Sequence, residues 1–256
     1  MTNHPHWQAP RGVVMLLRMN MPFDLGPLDP INLAAIGFLL VAWLLIGWMI
    51  EHPPASQPSV STLMVQYRRD WMVQMVTRQP RIFDASIIDS LRQGTAFFAS
   101  TCMIAIGGGV AMIGNSDRIT GLAGDLPIDT GTVPVEAKII LVLFFLANAL
   151  LKFVWANRLF GYCSILMAAV PNDAADPRAY RRAAQAAEIN ITAARSFNRG
   201  LRAIYFALAA LGWMLGPVAL AAATVAATAV MLRREFASTS RAVMLSADSG
   251  EHPASE

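Results

Sequence analysis

The stretch INLAAIGFLLVAWLLIGWMI, at residues 31–50, holds twenty consecutive residues without a charged side chain. An α-helix of this length spans about 30 Å, which is the thickness of the hydrocarbon core of a bilayer. A backbone in lipid must satisfy its own hydrogen bonds, and this run is too long and too unbroken for a strand of a membrane barrel. We therefore expect a transmembrane helix here and an integral membrane protein as a whole.

The composition agrees with this interpretation. Of the 256 residues, 55% are hydrophobic and 14% are charged, whereas soluble domains carry about 25% charged residues. The predicted fold class is all-α, a polytopic transmembrane helical bundle with cytoplasmic amphipathic helices. We expect one membrane domain over residues 29–236, preceded by a disordered leader (1–28) and followed by a flexible tail (237–256).

About five spans are expected, at residues 31–50, 94–113, 135–155, 198–215 and 217–232. The last apolar region, 201–232, is ambiguous because it is too long for one span and short for two. Gly216 and Pro217 lie in its middle and would suit a tight turn between two helices. Either a single span or a hairpin is compatible with the apolar pattern alone.

Arginines are distributed unevenly between these spans. The linkers 51–93 and 156–200 carry five and six arginines, whereas the linker 114–134 carries one arginine and three aspartates. Basic loops tend to stay in the cytoplasm, so the first two linkers are expected inside and the third outside. A hairpin at 216–217 returns the C-terminal arginines to the inside, which favours five spans over four. We expect a bacterial inner-membrane protein with an external N-terminus and a cytoplasmic C-terminus.

Residues 60–76, in the first basic linker, have an amphipathic pattern. Apolar side chains recur there at helical spacing: Val60, Leu63, Met64, Tyr67, Trp71 and Met75. This pattern predicts an interfacial helix anchored in the headgroup region by Tyr67, Arg68, Arg69 and Trp71. Packing of the same stripe on the protein's own helices explains the pattern about as well.

A second soluble helix is predicted to start at Asp176 and Pro177, a residue pair typical of a helix N-terminus. No helix breaker follows before Gly200. The helix is therefore expected to continue into the fourth span, with a total length greater than the thickness of a bilayer. Part of it should project into the cytosol.

Several functions are disfavoured by what the predicted spans lack. The four histidines lie in the leader, a linker and the tail, which argues against membrane haem: His4, His6, His52 and His252. The apolar cores carry no carboxylate for a proton relay, and no metal-ligand motif occurs. Eighteen of the 20 basic residues are arginines spread beside the spans, which indicates membrane anchoring rather than nucleic-acid binding. No cofactor and no metal are expected.

One group of polar residues suggests a binding site. In a continuous helix, Arg195, Arg199 and Arg202 lie at positions i, i+4 and i+7, and Asn198, Arg202 and Tyr205 form an overlapping row. Three guanidinium groups at the membrane boundary could hold a phosphate, a carboxylate or a lipid headgroup through paired donors. Alternatively, these arginines anchor the span, or pair internally with Asp84, Asp89 or Glu188.

Three classes of function remain open at this stage. The preferred one is a non-enzymatic membrane protein of unknown molecular activity that binds an anionic lipid or small molecule at its cytoplasmic rim, with membrane lipids as partners. The alternatives are a transporter or channel for a small solute and, less favoured, a lipid-modifying enzyme. A polar lining for transport would come from a sparse set: Thr95, Ser100, Thr101 and Asn148. No catalytic residue pair is recognisable.

Scattered short fragments together resemble a known family. They are Tyr67-Arg68-Arg69 with Trp71-Met72, Arg81-Ile82 with Asp84, Gln93-Gly94 with Phe97-Phe98-Ala99-Ser100-Thr101, Lys152-Phe153 with Trp155, Phe197-Asn198-Arg199-Gly200 with Arg202 and Tyr205-Phe206, and Arg233-Arg234-Glu235-Phe236. The combination, over roughly residues 29–236, resembles bacterial and plant membrane proteins grouped as domain of unknown function 599. The resemblance implies a membrane location and no catalytic residue.

Overall fold

The structure is a computed structural model that describes residues 29–115 and 133–248; the predicted leader, the loop 116–132 and residues 249–256 lie outside it. Within the described residues, all regular structure is helical. The helices are α1 (Pro30–Glu51), α2 (Val60–Thr77), α3 (Ile82–Ile113), α4 (Val135–Ala168), α5 (Ala179–Leu211), α6 (Pro217–Phe236) and α7 (Thr239–Asp248), with a 3₁₀ turn at Gly212–Leu215. The prediction of an all-α bundle is confirmed.

Four segments are long and apolar enough to cross a membrane: Pro30–Glu51, Ile82–Ile113, Val135–Ala168 and Pro217–Ser246. They indicate a membrane protein. The remaining predicted span, 198–215, comprises the C-terminal part of α5 and the 3₁₀ turn, where Phe206 and Trp213 are buried among the neighbouring helices. A bundle of about five crossing segments is consistent with this arrangement.

The helix ends follow from local chemistry. The Asp29 carboxylate caps α1 by accepting a hydrogen bond from the backbone N–H of Asn32 at 2.8 Å, and Pro30 occupies the first turn. Ahead of α5, Asp176 accepts from the Arg178 backbone at 2.8 Å and from its guanidinium, and these bonds lower the pKa of Asp176 to about 2. From Ala179, α5 is unbroken for 33 residues, about 50 Å.

A tight turn joins α5 to α6, so residues 201–232 form a hairpin rather than one span. Gly216 has φ 108°, a backbone conformation that favours glycine, and Pro217 begins α6. At Gly212, an added Cβ would lie 2.9 Å from the Ala219 carbonyl oxygen, so this position also requires glycine. The Trp213 indole donates to Asn32 Oδ1 at 2.6 Å and fixes the turn against the start of α1.

The directions of the helices give the bundle two distinct ends. Successive helices α3, α4 and α5 run antiparallel, while α1 and α6 run parallel to each other. One end of the bundle therefore collects the C-terminal ends of α1, α4 and α6, the N-terminal parts of α3 and α5, and the short helices α2 and α7. We call it the basic end, because most of the described arginines lie there.

A separate hydrophobic core occupies the basic end. At 32–34 residues, α3, α4 and α5 are each about 50 Å long, well beyond the thickness of a hydrocarbon core. Met72 and Met75 of α2 pack with Phe160 and Cys163 of α4 against the alanine-rich part of α5. The extra helix length thus builds a second packed layer. The long helix α5 begins at Ala179 and not at the predicted start, Asp176 and Pro177, which form a turn ahead of it.

Part of the predicted flexible tail is helical in the structure. Residues 239–248 form α7, which rests on the loop before α2 and on α2 itself: Arg241 Nε donates to the Pro58 carbonyl at 2.9 Å and the Tyr67 hydroxyl donates to the Met244 carbonyl at 3.5 Å. At 10 residues, α7 is shorter than the roughly 12–15 residues that an isolated helix needs in water, so local sequence does not predict it without that support.

Candidate functional site

The middle of α5 lies against the C-terminal end of α1, where two arginines of the predicted row meet a carboxylate. Nε of Arg199 donates to Oε1 of Glu51 at 2.8 Å, and Nη2 groups of both Arg199 and Arg202 also bind this carboxylate. Arg202 is buried, whereas about half of the Arg199 side chain is exposed. Glu51 therefore compensates part of the positive charge of the row.

This pairing realises one of the alternatives for Arg199 and Arg202, namely internal ion pairing. The partner is Glu51, the residue directly after the first apolar run. It is not one of the three acids that were considered from the sequence. Its position at the polar end of a span was visible in the sequence. Nothing local, however, indicates that this end lies beside residues nearly 150 positions further along the chain.

A second polar contact joins α2, α5 and α6. The Asn198 side-chain amide donates to the Ser61 hydroxyl at 3.4 Å, and that hydroxyl donates to Oε1 of Glu235 at 3.1 Å. The backbone N–H of Ser61 also donates to Oε2 of Glu235 at 3.1 Å. Glu235 thus accepts a hydrogen bond from a free backbone N–H in the first turn of α2, where the helix dipole favours a negative charge.

A cavity of 360 Å³ opens between these elements and α7, and we call it the basic cavity. Its charged lining is Arg68, Arg195, Arg234 and Glu235. The remaining wall combines apolar and hydroxyl side chains with Asn198: Val60, Ser61, Met64, Val65, Ile191, Ala194, Ser238, Ser240 and Met244. The volume is in the range of small-molecule sites, about 300–1,000 Å³.

The three arginines of the basic cavity have no carboxylate partner within the described part of the chain. Arg68 binds the neutral amide oxygen of Asn190, and Nη1 of Arg234 donates to the Tyr205 hydroxyl at 3.1 Å. Arg195 makes no hydrogen bond or ion pair with any described residue. Since Glu235 contributes a single negative charge, the lining carries a net positive charge of about two.

Of the three arginines of the basic cavity, Arg68 is the most buried. Its guanidinium lies half-buried between α2 and α5, and desolvation lowers the pKa of Arg68 from its usual value, because removal from water disfavours the charged form. The group keeps its position through Asn190, which in turn donates to Cys163 Sγ at 3.6 Å. A half-buried cation without an anion beside it is a favourable place for a negatively charged ligand.

The predicted site residues therefore divide into two groups. Arg195 and Asn198 line the basic cavity, whereas Arg199 and Arg202 belong to the Glu51 contact. Tyr205 lies between the groups: its hydroxyl holds Arg234, and it lines a small recess of 30 Å³ beside the cavity. Sequence reasoning missed Arg234 and the orientation of Arg68, both contributed by other helices.

Comparison with known proteins shows one relationship. A family model described as "Protein of unknown function, DUF599" matches residues 34–240 of the chain. The chain belongs to this family. No curated protein and no solved structure matches it.

In this DUF599 protein, the four residues predicted as interfacial anchors all contact other parts of the chain. Nε of Arg69 donates to Glu188 at 2.8 Å, and the Trp71 indole donates to Asp84 at 2.7 Å. Tyr67 reaches α7, and Arg68 reaches α5. The most buried face of α2 consists of Met72, Met75 and Val76. It is rotated from the predicted stripe, so that Arg68 faces the bundle and Tyr67 is exposed.

Two of the four polar residues considered for a transport path bind the backbone of their own helix. The Thr95 hydroxyl donates to the Leu91 carbonyl at 2.6 Å, and the Thr101 hydroxyl donates to the Phe97 carbonyl at 2.9 Å. Between α3, α4 and α5, a cavity of 350 Å³ has an apolar lining that includes Met112, Ile139 and Leu208. The lining of this cavity therefore offers no polar path between the described parts of α3, α4 and α5.

Proposed function

We propose that this DUF599 protein binds an anion in the basic cavity, as a non-enzymatic membrane protein. The ligand carries a phosphate group, presented either by a lipid headgroup or by a small soluble molecule. The observation that carries the proposal is the set of three guanidinium groups, those of Arg68, Arg195 and Arg234, which line one cavity without a carboxylate partner among the described residues.

The chemistry of the lining suits such a ligand. Guanidinium groups donate paired hydrogen bonds to phosphate and carboxylate oxygens, and charge-assisted bonds of this kind contribute about 1.5–3 kcal/mol each. Asn198 and the hydroxyls of Ser238 and Ser240 supply further polar contacts. Apolar side chains of α2 and α5, such as Met64 and Ile191, would contact the organic part of the ligand.

We place the basic end in the cytoplasm, with the start of α1 on the outer side of a bacterial inner membrane. The support is the bias of arginines toward one end of the bundle, since basic segments next to spans are retained inside. The ligand would then reach the cavity from the cytosol or from the inner leaflet.

The test uses full-length protein in nanodiscs of zwitterionic lipid, with two probes: inorganic phosphate and the water-soluble lipid dihexanoyl phosphatidic acid. Arg195→Gln and Arg234→Gln each remove one cavity guanidinium. Arg233→Gln is the matched control, because Arg233 is the exposed neighbour of Arg234 and does not line the cavity. Binding is measured by isothermal titration calorimetry.

The wild-type protein and Arg233→Gln should bind at least one probe, and each cavity variant should bind it at least about tenfold more weakly, the loss of one charge-assisted contact. Binding of both probes indicates a soluble ligand, and binding of the lipid alone indicates a headgroup. The proposal is wrong if neither probe binds the wild type, or if Arg233→Gln weakens binding as much as the cavity variants.

A further inference from the structure

Three phenylalanines fill the space between α3, α4 and α5 near the middle of these helices. The ring centre of Phe98 in α3 lies 5.4 Å from that of Phe153 in α4 and 5.7 Å from that of Phe197 in α5. The rings of Phe153 and Phe197 are 5.4 Å apart. Aromatic rings at such separations are in contact, so the three helices are closely packed at this level.

Farther from the basic end, the side chains between the same helices become smaller. About two helical turns beyond the phenylalanines, the apolar cavity of 350 Å³ begins. Its lining includes Ala105 and Gly108 of α3 and Ala207 of α5. We call this cavity the apolar slot. The phenylalanines close the space between the helices on the side of the slot that faces the basic end.

Two adjacent glycines of α3 show where the helices touch and where they separate. At Gly109, an added Cβ would lie 2.6 Å from Cδ2 of Leu143, so α3 and α4 are in contact there. At Gly108, an added Cβ would meet no atom within 4 Å. Gly108 therefore borders open space, although it lines the slot together with Gly109.

No side chain in the lining of the slot carries a charge, a hydroxyl or an amide. The lining residues are Ala105, Gly108, Gly109, Met112, Ile139, Val142, Leu143, Leu146, Ile204, Ala207, Leu208, Leu211 and Met214. An ordered water molecule needs two to four polar partners, which these side chains do not offer. Since an apolar cavity of about 150 Å³ holds one benzene molecule, the slot has room for a longer hydrocarbon.

The slot opens on the surface of the bundle that faces lipid. Its residue Ile139 is buried, whereas Met112 and Leu208 are 44% and 59% exposed. The parts of α3 and α4 that line it belong to segments long and apolar enough to cross a membrane. Met112 and Met214 lie at the ends of their helices away from the basic end. A molecule that enters from this side comes from the bilayer.

We propose that the apolar slot binds one acyl chain of a membrane lipid, in the leaflet opposite the basic end. The chain lies between α3 and α5, with its methyl end toward the phenylalanines and its headgroup at the bilayer surface. A bound chain restores the dispersion contacts that an empty slot would lack. The site is independent of the proposed anion site, because the two cavities share no lining residue.

The test measures binding of dioleoylglycerol to delipidated full-length protein in detergent by native mass spectrometry. This probe carries two acyl chains but no phosphate and no charge, so it cannot bind by the interactions proposed for the basic cavity. The wild-type protein should bind one molecule. Absence of a bound molecule would overturn the acyl-chain proposal and leave the anion site untouched.

Two leucine variants place the bound chain in the slot. Gly108→Leu fills the slot from α3 and should weaken binding at least about tenfold. Gly107→Leu is the matched control, because Gly107 is exposed and does not line the slot, and it should bind the probe like the wild type. An added Cβ meets no atom within 4 Å at either glycine, so both variants should fold.

A second pair of variants approaches the slot from α5. Leu208→Trp adds bulk at an exposed lining residue and should weaken binding as Gly108→Leu does, also if the latter fails to fold. Leu215→Trp adds the same ring at an exposed residue outside the lining and should bind like the wild type. The proposal is overturned if slot and control variants bind equally. It is also overturned if the wild type is a dimer that Gly108→Leu dissociates, because a second copy of the chain would then cover the slot.

Discussion

Among the described residues, Glu51 is the only carboxylate that forms an ion pair with Arg199 and Arg202, and it lies at the boundary between an apolar span and the polar end of the bundle. Its loss would leave two guanidinium groups, one of them buried, without an ion-pair partner. Such a loss costs more than removal of an exposed pair, because the remaining charge stays desolvated. The contact also ties α1 to α5 at the basic end.

Glu51→Gln should therefore lower the free energy of unfolding by roughly 2–3 kcal/mol, below the range of about 3–5 kcal/mol for fully buried pairs because Arg199 is half exposed. The measurement is reversible unfolding in mixed detergent micelles. Glu188→Gln serves as the control: it breaks the exposed pair with Arg69 and should cost at most about 1 kcal/mol. Equal losses in both variants would contradict the importance of the Glu51 contact.

Arg199→Lys separates the two groups of arginines. The substitution keeps the charge but removes the planar fork that binds both oxygens of Glu51. We expect a loss of about 1 kcal/mol in unfolding free energy and unchanged affinity for phosphate or phosphatidic acid, because Arg199 does not line the basic cavity. Weaker anion binding by Arg199→Lys would instead show that Arg199 takes part in the anion site.

At the scale of the helix, α5 is the central element, and its contact with α4 depends on a small residue. At Gly200 an added Cβ would lie 2.7 Å from Cε1 and 2.9 Å from Cζ of Phe153, which is itself fully buried. Helices in membranes approach closely where small residues remove side-chain bulk. The contact joins the two longest helices at the middle of their length.

Gly200→Ala should consequently destabilise the bundle by about 1–3 kcal/mol, the cost of overpacking. Gly161→Ala in α4 is the matched control, since its Cβ would meet no atom within 4 Å. That variant should be stabilised by about 0.5–1 kcal/mol, because alanine is the better helix former. Thermal unfolding of both variants in the same detergent measures the difference. A Gly200→Ala protein as stable as Gly161→Ala would show that Phe153 moves aside freely.

At the scale of the whole molecule, the start of α1 and the end of α6 lie at opposite ends of the bundle. Single cysteines at Asp125→Cys and Ser240→Cys, in a background without Cys102 and Cys163, test which end faces the cytoplasm. An impermeant thiol reagent applied to intact cells should label the cysteine at 125 and leave the one at 240 unlabelled until the cells are opened. The reverse pattern would invert the proposed orientation and place the basic cavity outside.

The sequence by itself determined the elements of this protein. The apolar runs, the turn at Gly216 and Pro217 and, apart from its first residues, the long helix α5 could all be predicted, because each rests on local chemistry: hydrophobic length, backbone conformation and the absence of a breaker. Arg195 and Asn198 could likewise be assigned to a common helix face, and both line the basic cavity.

Only the tertiary structure decided how the helices face one another. In α1, buried Leu39 and Ile46 are no more apolar than exposed Leu44 and Ile31, since lipid and protein interior favour the same side chains. Apolar periodicity therefore cannot reveal the inner face of a span. The rotation of each helix, and with it the meeting of Glu51 with Arg202, or of Arg234 with Arg195 at one cavity, follows from close packing between residues far apart in the chain.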